Sequence, residues 1–215
     1  MKNCTRIAQA ALLSLLGTPL LQAGLLSYDV TIDTTLPANT SGYMDFNLYG
    51  GIPFQDNVAT ISNFSSDSTL GTGAGFDDFS GTLKPGPLLL TADAFDSEWL
   101  QTVSNFGAIT TFVLNVTTTY TGGTPDSFAF FLLASTETPF PTSDPSGADS
   151  IFAVDLTGGS TTPQVFTSTN GTSQFTATVT PITSSTPEPS PGPPIGLGLA
   201  VILALRFLPK RSRGI

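Results

Sequence analysis

The residues able to do chemistry in this chain are carboxylates. Its 215 residues include sixteen Asp and Glu and no histidine. That composition removes imidazole general bases, Ser-His-Asp arrangements and His-ligated zinc together. The single cysteine is Cys4, in a segment read below as a leader, so neither thiol nor disulfide chemistry is expected of the exported chain. Carboxylates work best in pairs. A glycoside hydrolase needs two of them roughly 5 to 9.5 Å apart, and Glu98, Glu137, Asp77 and Asp78 are the candidates. Against this, Glu98 falls in an amphipathic segment and Glu137 in a Pro-rich loop, where an acid is ordinarily solvated surface. No catalytic residue is assigned and the chain reads as non-enzymatic, with a secreted carboxylate-dependent glycoside hydrolase as the alternative. Carboxylates converging on one concave pocket would favour the hydrolase; scattered, solvated ones would favour a binding or structural role.

Loop carboxylates can also hold Ca²⁺, which takes six to eight oxygens. Asp77 with Asp78, Asp93 with Asp96, and Asp144 with Asp149 are spaced for loops, but none matches an EF-hand or a nonapeptide repeat. The expectation is no cofactor and no metal, with Ca²⁺ as the alternative. For carbohydrate, the useful groups are exposed aromatics. Tyr43 and Tyr49 share a parity opposite to Met44, Phe46 and Leu48, which puts them on the outer face of a strand; Trp99 reads as core. Glu188 is the one acidic residue outside 24–187, and Lys84 is the one basic residue within that range. So acidic a domain repels phosphate backbones, which argues against nucleic acid as a partner.

These groups need a scaffold, and the pattern is that of strands. Tyr28, Val30 and Ile32 alternate with Asp29, Thr31 and Asp33, and Met44, Phe46 and Leu48 with Asp45 and Asn47. The same holds for Phe112, Leu114 and Val116, for Phe152, Val154 and Leu156, and for Phe175, Ala177 and Val179. Each set gives one dry face and one wet face. Phe128 to Leu133 is apolar at every position and reads as a central strand buried on both sides. Gly50-Gly51, Gly71 to Gly75, Gly122-Gly123, Pro145-Ser146-Gly147 and Asn170-Gly171 read as turns. The predicted fold is an all-β, antiparallel, jelly-roll-like β-sandwich over residues 24–183. One short helix is expected, because Phe95, Trp99, Val103 and Phe106 recur at helical spacing behind Asp93 as a cap.

Both ends read as targeting segments. Lys2 and Arg6 precede an apolar run from Ile7 to Leu16, broken by Gly17, Thr18 and Pro19. This is a secretory signal peptide over residues 1–23, cut by signal peptidase between Ala23 and Gly24. At the other end a Pro-rich linker, 184–194, carries Pro187-Glu188-Pro189. An apolar helix follows over 195–208, then a basic tail over 209–215; Arg206, Lys210, Arg211 and Arg213 are its cations. From Pro193 to Leu208 a helix would reach about 24 Å at ~1.5 Å per residue, short of a hydrocarbon core of ~30 Å. The basic tail keeps to the cytoplasmic side, which leaves the sandwich outside.

This tripartite end, together with the leader, resembles that of the PEP-CTERM proteins of Gram-negative bacteria. In that group the Pro-Glu-Pro motif, apolar helix and Arg-rich tail are a signal read by an exosortase. By resemblance Pro187, Glu188 and Pro189 are the sorting motif, Ile195 to Leu205 the transmembrane helix, and Arg206, Lys210, Arg211 and Arg213 the basic cluster. The chain departs from the pattern in an extra Pro-Gly-Pro-Pro before the helix and a Phe-Leu-Pro after Arg206. Tyr28 to Thr35, Ala59 to Phe64 and Asp144 to Asp149 further resemble an uncharacterised subfamily of that group. The resemblance implies a chain held transiently in the membrane, then a cell-surface or extracellular location, with a link to exopolysaccharide and biofilm. A plain type I membrane-anchored binding module is the alternative.

Overall fold

Side chains of a strand alternate between its two faces, so the alternating runs above must pair into sheets whose dry faces meet. The computed structural model describes residues 24–93, 96–158, 162–169 and 174–183. There the chain forms β1 (Gly24–Thr34), β2 (Gly42–Tyr49), β3 (Val58–Ser66), β4 (Thr69–Phe76), β5 (Phe79–Gly81) and β6 (Leu88–Thr91). It continues with β7 (Asp96–Asn105), β8 (Ile109–Thr118), β9 (Asp126–Ala134), β10 (Phe152–Leu156), β11 (Gln164–Val165) and β12 (Phe175–Pro181). These make two six-stranded antiparallel sheets. One, the first sheet, runs β12-β1-β8-β3-β6-β5; the other, the second sheet, runs β11-β10-β9-β2-β7-β4. The architecture is an all-β sandwich. The alternating runs of β1, β2, β8, β10 and β12 form strands as expected, and their apolar residues face one shared core. The signal peptide, the Pro-rich linker, the transmembrane helix and the basic tail lie outside the described residues, as does the Asn170-Gly171 turn.

The core is organised by one row of rings. In register across the second sheet, Phe152 of β10 faces Phe130 of β9, Phe130 faces Phe46 of β2, and Phe46 faces Trp99 of β7. Phe112 of β8, from the opposite sheet, closes on this row, 5.4 Å from Phe46 and 5.7 Å from Phe130 between ring centroids. Tilted and edge contacts of this kind add about 0.5–1.5 kcal/mol each beyond the burial itself, and full burial of each ring contributes about 1.5–3 kcal/mol.

Two sequence expectations fail along this row. Residues 96–105, expected to be helical, are β7. Trp99 and Val103 are four apart, a spacing that satisfies a strand as well as a helix, and both are buried. The intervening inward positions are Ser97 and Gln101, polar residues that conceal a period of two. They are accommodated because Ser97 Oγ donates to the Thr91 carbonyl and Gln101 Nε2 to the Gly71 carbonyl. Phe106 lies just past the strand, and Phe95 lies outside the described residues.

Gly71, Gly73 and Gly75, expected to mark a turn, lie instead in the edge strand β4. Gly73 and Gly75 share one face of the strand, while a register shift after Leu70 turns Gly71 to the other face, against Thr102. A Cβ on Gly73 would stand 2.1 Å from Trp99 Cζ2, and one on Gly75 2.5 Å from the Phe79 ring. The ring row therefore ends on a face without side chains. Trp99 occupies the space, with the Phe79 ring of β5 5.6 Å away, where the two sheets meet at this edge.

Gly73→Ala is expected to lower stability by about 1–3 kcal/mol, the usual cost of overpacking, in a denaturant titration. Trp99 is the only tryptophan, so its fluorescence should report the displacement directly. Ala74→Ser, on the exposed face of the same strand, should stay within about 0.5 kcal/mol of the parent.

Candidate functional site

β9 is apolar at successive positions. Phe128, Phe130 and Leu132 enter the main core, and Ala129, Phe131 and Leu133 form a second cluster on the outer face with Tyr43, Leu100 and Ala153 packed against it. An apolar outer face needs a cover, and the β9–β10 connection supplies one. Phe140 N–H donates to the Leu132 carbonyl and Ala134 N–H to the Thr138 carbonyl. Pro139 bridges to Leu133. Further along, Asp144 accepts from the backbone and hydroxyl of both Ser146 and Ser150. Burial alone would raise its pKa, but these bonds hold it below the ordinary value. Asp149 accepts from Thr142 N–H.

Between this cover and the sheet lies a concavity of about 310 Å³, lined by Asp45, Tyr49, Glu98, Leu100, Phe131, Leu133, Glu137, Pro139 and Ala148. A neighbouring one of about 300 Å³ shares Tyr49, Phe131 and Ala148 as a wall. The floor is set by register: Asp45 lies directly between Leu100 of β7 and Phe131 of β9. Flanked by apolar neighbours and roofed over, Asp45 is 7% exposed, and its Oδ1 has no hydrogen-bond partner. Burial, then the nearby Glu98 carboxylate, pushes its pKa up to about 8; the Asn47 amide opposes this. Glu98 itself is raised by burial, by Asp96 and by Glu137, against a hydrogen bond from Asp45 that lowers it. Near neutrality Asp45 carries the proton and Glu98 accepts it, and the two titrate as a pair. Tyr49 is pushed to about 12 by burial and by Asp45, Asp96 and Glu98.

The structure thus brings together two of the expected carboxylates. Glu98 is half-buried and Glu137 exposed on the pocket rim, at a turn where it adopts φ 60°. The expectation that Glu98 is solvated surface fails, because β7 turns it toward a covered face. Asp77 and Asp78 are exposed and stand elsewhere: Asp78 faces Asp93, which raises its pKa, and Asp77 faces Asp96. Among the described residues no group of three or more acidic side chains could hold a metal ion. Tyr43 and Tyr49 lie on the outer face, as their parity predicts; Trp99 is core. The residue that sequence reading missed is Asp45, taken for the wet face of β2. Its only signal was the fully apolar run Phe128 to Leu133, which implies a covered outer face, but nothing in the sequence pairs that run with β2. The sorting motif, the basic tail and Ala23 lie outside the described residues, while Gly24 opens β1.

Folded Asp45 holds its proton up to about pH 8, whereas the ordinary carboxyl releases it at 3.8. Between those values folding takes up a proton, so Asp45 makes stability fall as pH rises, by up to about 1.4 kcal/mol per pH unit, and the loss levels off above the folded value. In Asp45→Asn the amide donates to Glu98 at every pH. That variant should be more stable than the parent near neutrality, with an advantage that grows between pH 5 and 8 in thermal melts; parallel pH profiles would contradict this assignment.

No protein-family model, curated protein or solved structure matches this chain, so the reading of the pocket rests on its own geometry.

Proposed function

We propose that this chain is an exported cell-surface or extracellular-matrix protein of a Gram-negative bacterium, sorted through a C-terminal PEP-CTERM signal and associated with exopolysaccharide and biofilm. Its sandwich is a non-enzymatic binding module. The observation that carries the reading is the tripartite end: Pro187-Glu188-Pro189, then Ile195 to Leu205, then Arg206, Lys210, Arg211 and Arg213, in a chain that also opens with a leader. A helix shorter than the bilayer core suits a temporary hold while the processing enzyme reads Pro187 to Pro189. The jelly-roll reading of the sandwich is supported by the neighbours β1-β8-β3-β6 and β2-β7-β4, the orders produced when an eight-strand hairpin is rolled into two sheets. Here β5 pairs with β6 instead of completing the second set, and β9 to β12 extend the roll. The two-lobed concavity on the outer face offers a place for a polysaccharide.

A second reading, the carboxylate-dependent glycoside hydrolase, is favoured by one observation. Asp45, Glu98 and Glu137 converge on one pocket, and Asp45 keeps its proton near neutrality, as a general acid must. Against it, Asp45 and Glu98 lie within hydrogen-bonding reach of each other, whereas a retaining pair stands about 5–5.5 Å apart to admit the glycosidic bond.

Protein recovered from the surface of the producing cells is expected to end near Pro189 by intact-mass measurement, and to be retained on that organism's own polysaccharide without releasing new reducing ends. C-termini extending to Ile215 would return the end segment to a plain membrane anchor. Reducing ends released by the parent and not by Glu98→Gln would establish the hydrolase instead.

A further inference from the structure

We infer that the pocket beneath Glu137 is a receptor for a primary ammonium group carried on a sugar, an amino-sugar unit of a polysaccharide. The assignment deepens the polysaccharide-binding reading above and rests on it. Three carboxyl groups share this wall, yet no cation of the described domain answers them. Lys84 is the only basic residue between Gly24 and Thr183; its Nζ stands 5.6 Å from the Phe64 ring centroid and lines a different hollow, with Trp99 and Gln101. What offsets the charge is the Asn47 amide and the hydrogen bond between Asp45 and Glu98. Asp45 Oδ1, on a side chain more than nine-tenths buried, is left without a partner, which is a costly state for a polar atom unless something binds it. An ammonium group has three donors. It can displace the proton, satisfy Oδ1 and bridge to Glu98, replacing the acid–carboxylate hydrogen bond with charge-assisted ones to a cation.

The class of carrier follows from the walls. Leu100, Phe131, Leu133 and Pro139 offer apolar contact beside the carboxyls, as the C–H face of a pyranose requires. Across the shared Tyr49 wall, the second lobe is lined by Ser127, Ser146, Ser150 and Gln164 with two carboxylates, Asp144 and Asp155, donors and acceptors suited to the hydroxyls of the next ring. A lysine side chain would leave that lobe unaddressed. A divalent cation lacks its ligands, since no three acidic side chains among the described residues have metal-binding spacing.

The test is calorimetric titration of the full chain with oligomers of glucosamine and, separately, with N-acetylglucosamine oligomers of equal length. The free-amine series is expected to bind about tenfold tighter or more, with net proton release when buffers of different ionisation enthalpy are compared. Asp45→Asn should abolish that preference and the proton release, and Glu98→Gln, at a half-buried position, should reduce both. Equal affinity for both series, or binding of polylysine or calcium chloride as tight as that of the amino sugar, would overturn the assignment. Retention on the producer's polysaccharide without any amine preference would remove this pocket assignment alone. No binding to either series or to that polysaccharide would remove the underlying reading as well.

Discussion

The structure depends on one row of rings. Phe152, Phe130, Phe46 and Trp99 stand side by side across four strands of the second sheet, and each must face inward for the row to form. Because neighbouring residues of a strand point oppositely, that single requirement fixes the parity of the whole sheet. It sends Asp45, Glu98 and Phe131 to the outer face, and it demands a strand with no side chains where the row runs out. Gly73 and Gly75 meet that demand. The acid pocket is thus the reverse side of the aromatic core: its residues alternate with the core residues along β2, β7 and β9. A register slip by one residue would destroy both together.

Two buried aspartates show how differently the fold treats a carboxyl. Asp126 is fully buried and fully used. It accepts from Gly51 N–H at 2.6 Å and from Asn57 Nδ2 at 2.8 Å. Asn57, equally buried, also donates to the Thr119 carbonyl and accepts from Thr119 N–H. This network ties the β2–β3 loop to the β8–β9 loop, and every member has a partner, the pattern of a structural polar cluster. Asp45 has the burial, but its Oδ1 has no partner. The β9–β10 connection that covers it is anchored by Asp144 and Asp149 on its own hydroxyls and amides, so those acids are consumed in holding the roof. Asp45 and Glu98 bond to each other and leave Asp45 Oδ1 unsatisfied.

Much of the sandwich was legible because its chemistry is local. Phe112, Leu114 and Val116, or Phe152, Val154 and Leu156, announce an inward face within five residues, and the unbroken run in β9 announces two buried faces. Failures came where the decisive partner is distant. β7 reads as a helix because Ser97 and Gln101 occupy inward positions, and they are tolerated there only through carbonyls of β6 and β4. The glycines of β4 read as a turn because their reason, the Trp99 and Phe79 rings, is brought against them by pairing. Asp45 reads as solvated because its flanking Leu100 and Phe131 lie more than fifty residues away in the chain. Pairing across such separations is a property of the topology, and no window of sequence contains it. The proposed leader and tripartite end are read from contiguous segments of sequence and lie outside the described residues.

The remaining question is why an aspartate stands at position 45 at all. Its strand needs Phe46 inward, not a carboxyl outward. An asparagine would give Glu98 the same hydrogen bond with no ionisation to suppress, and a threonine would suit the strand better. Between Leu100 and Phe131 the carboxyl can be held only by keeping its proton, a state that works against folding at neutral pH. Groups that cost stability and have cheaper replacements persist at sites where the cost is returned by a ligand or a reaction. Because Asp45 and Glu98 are in contact, the return is better matched by a donor-rich cation seated on both than by a bond cleaved between them.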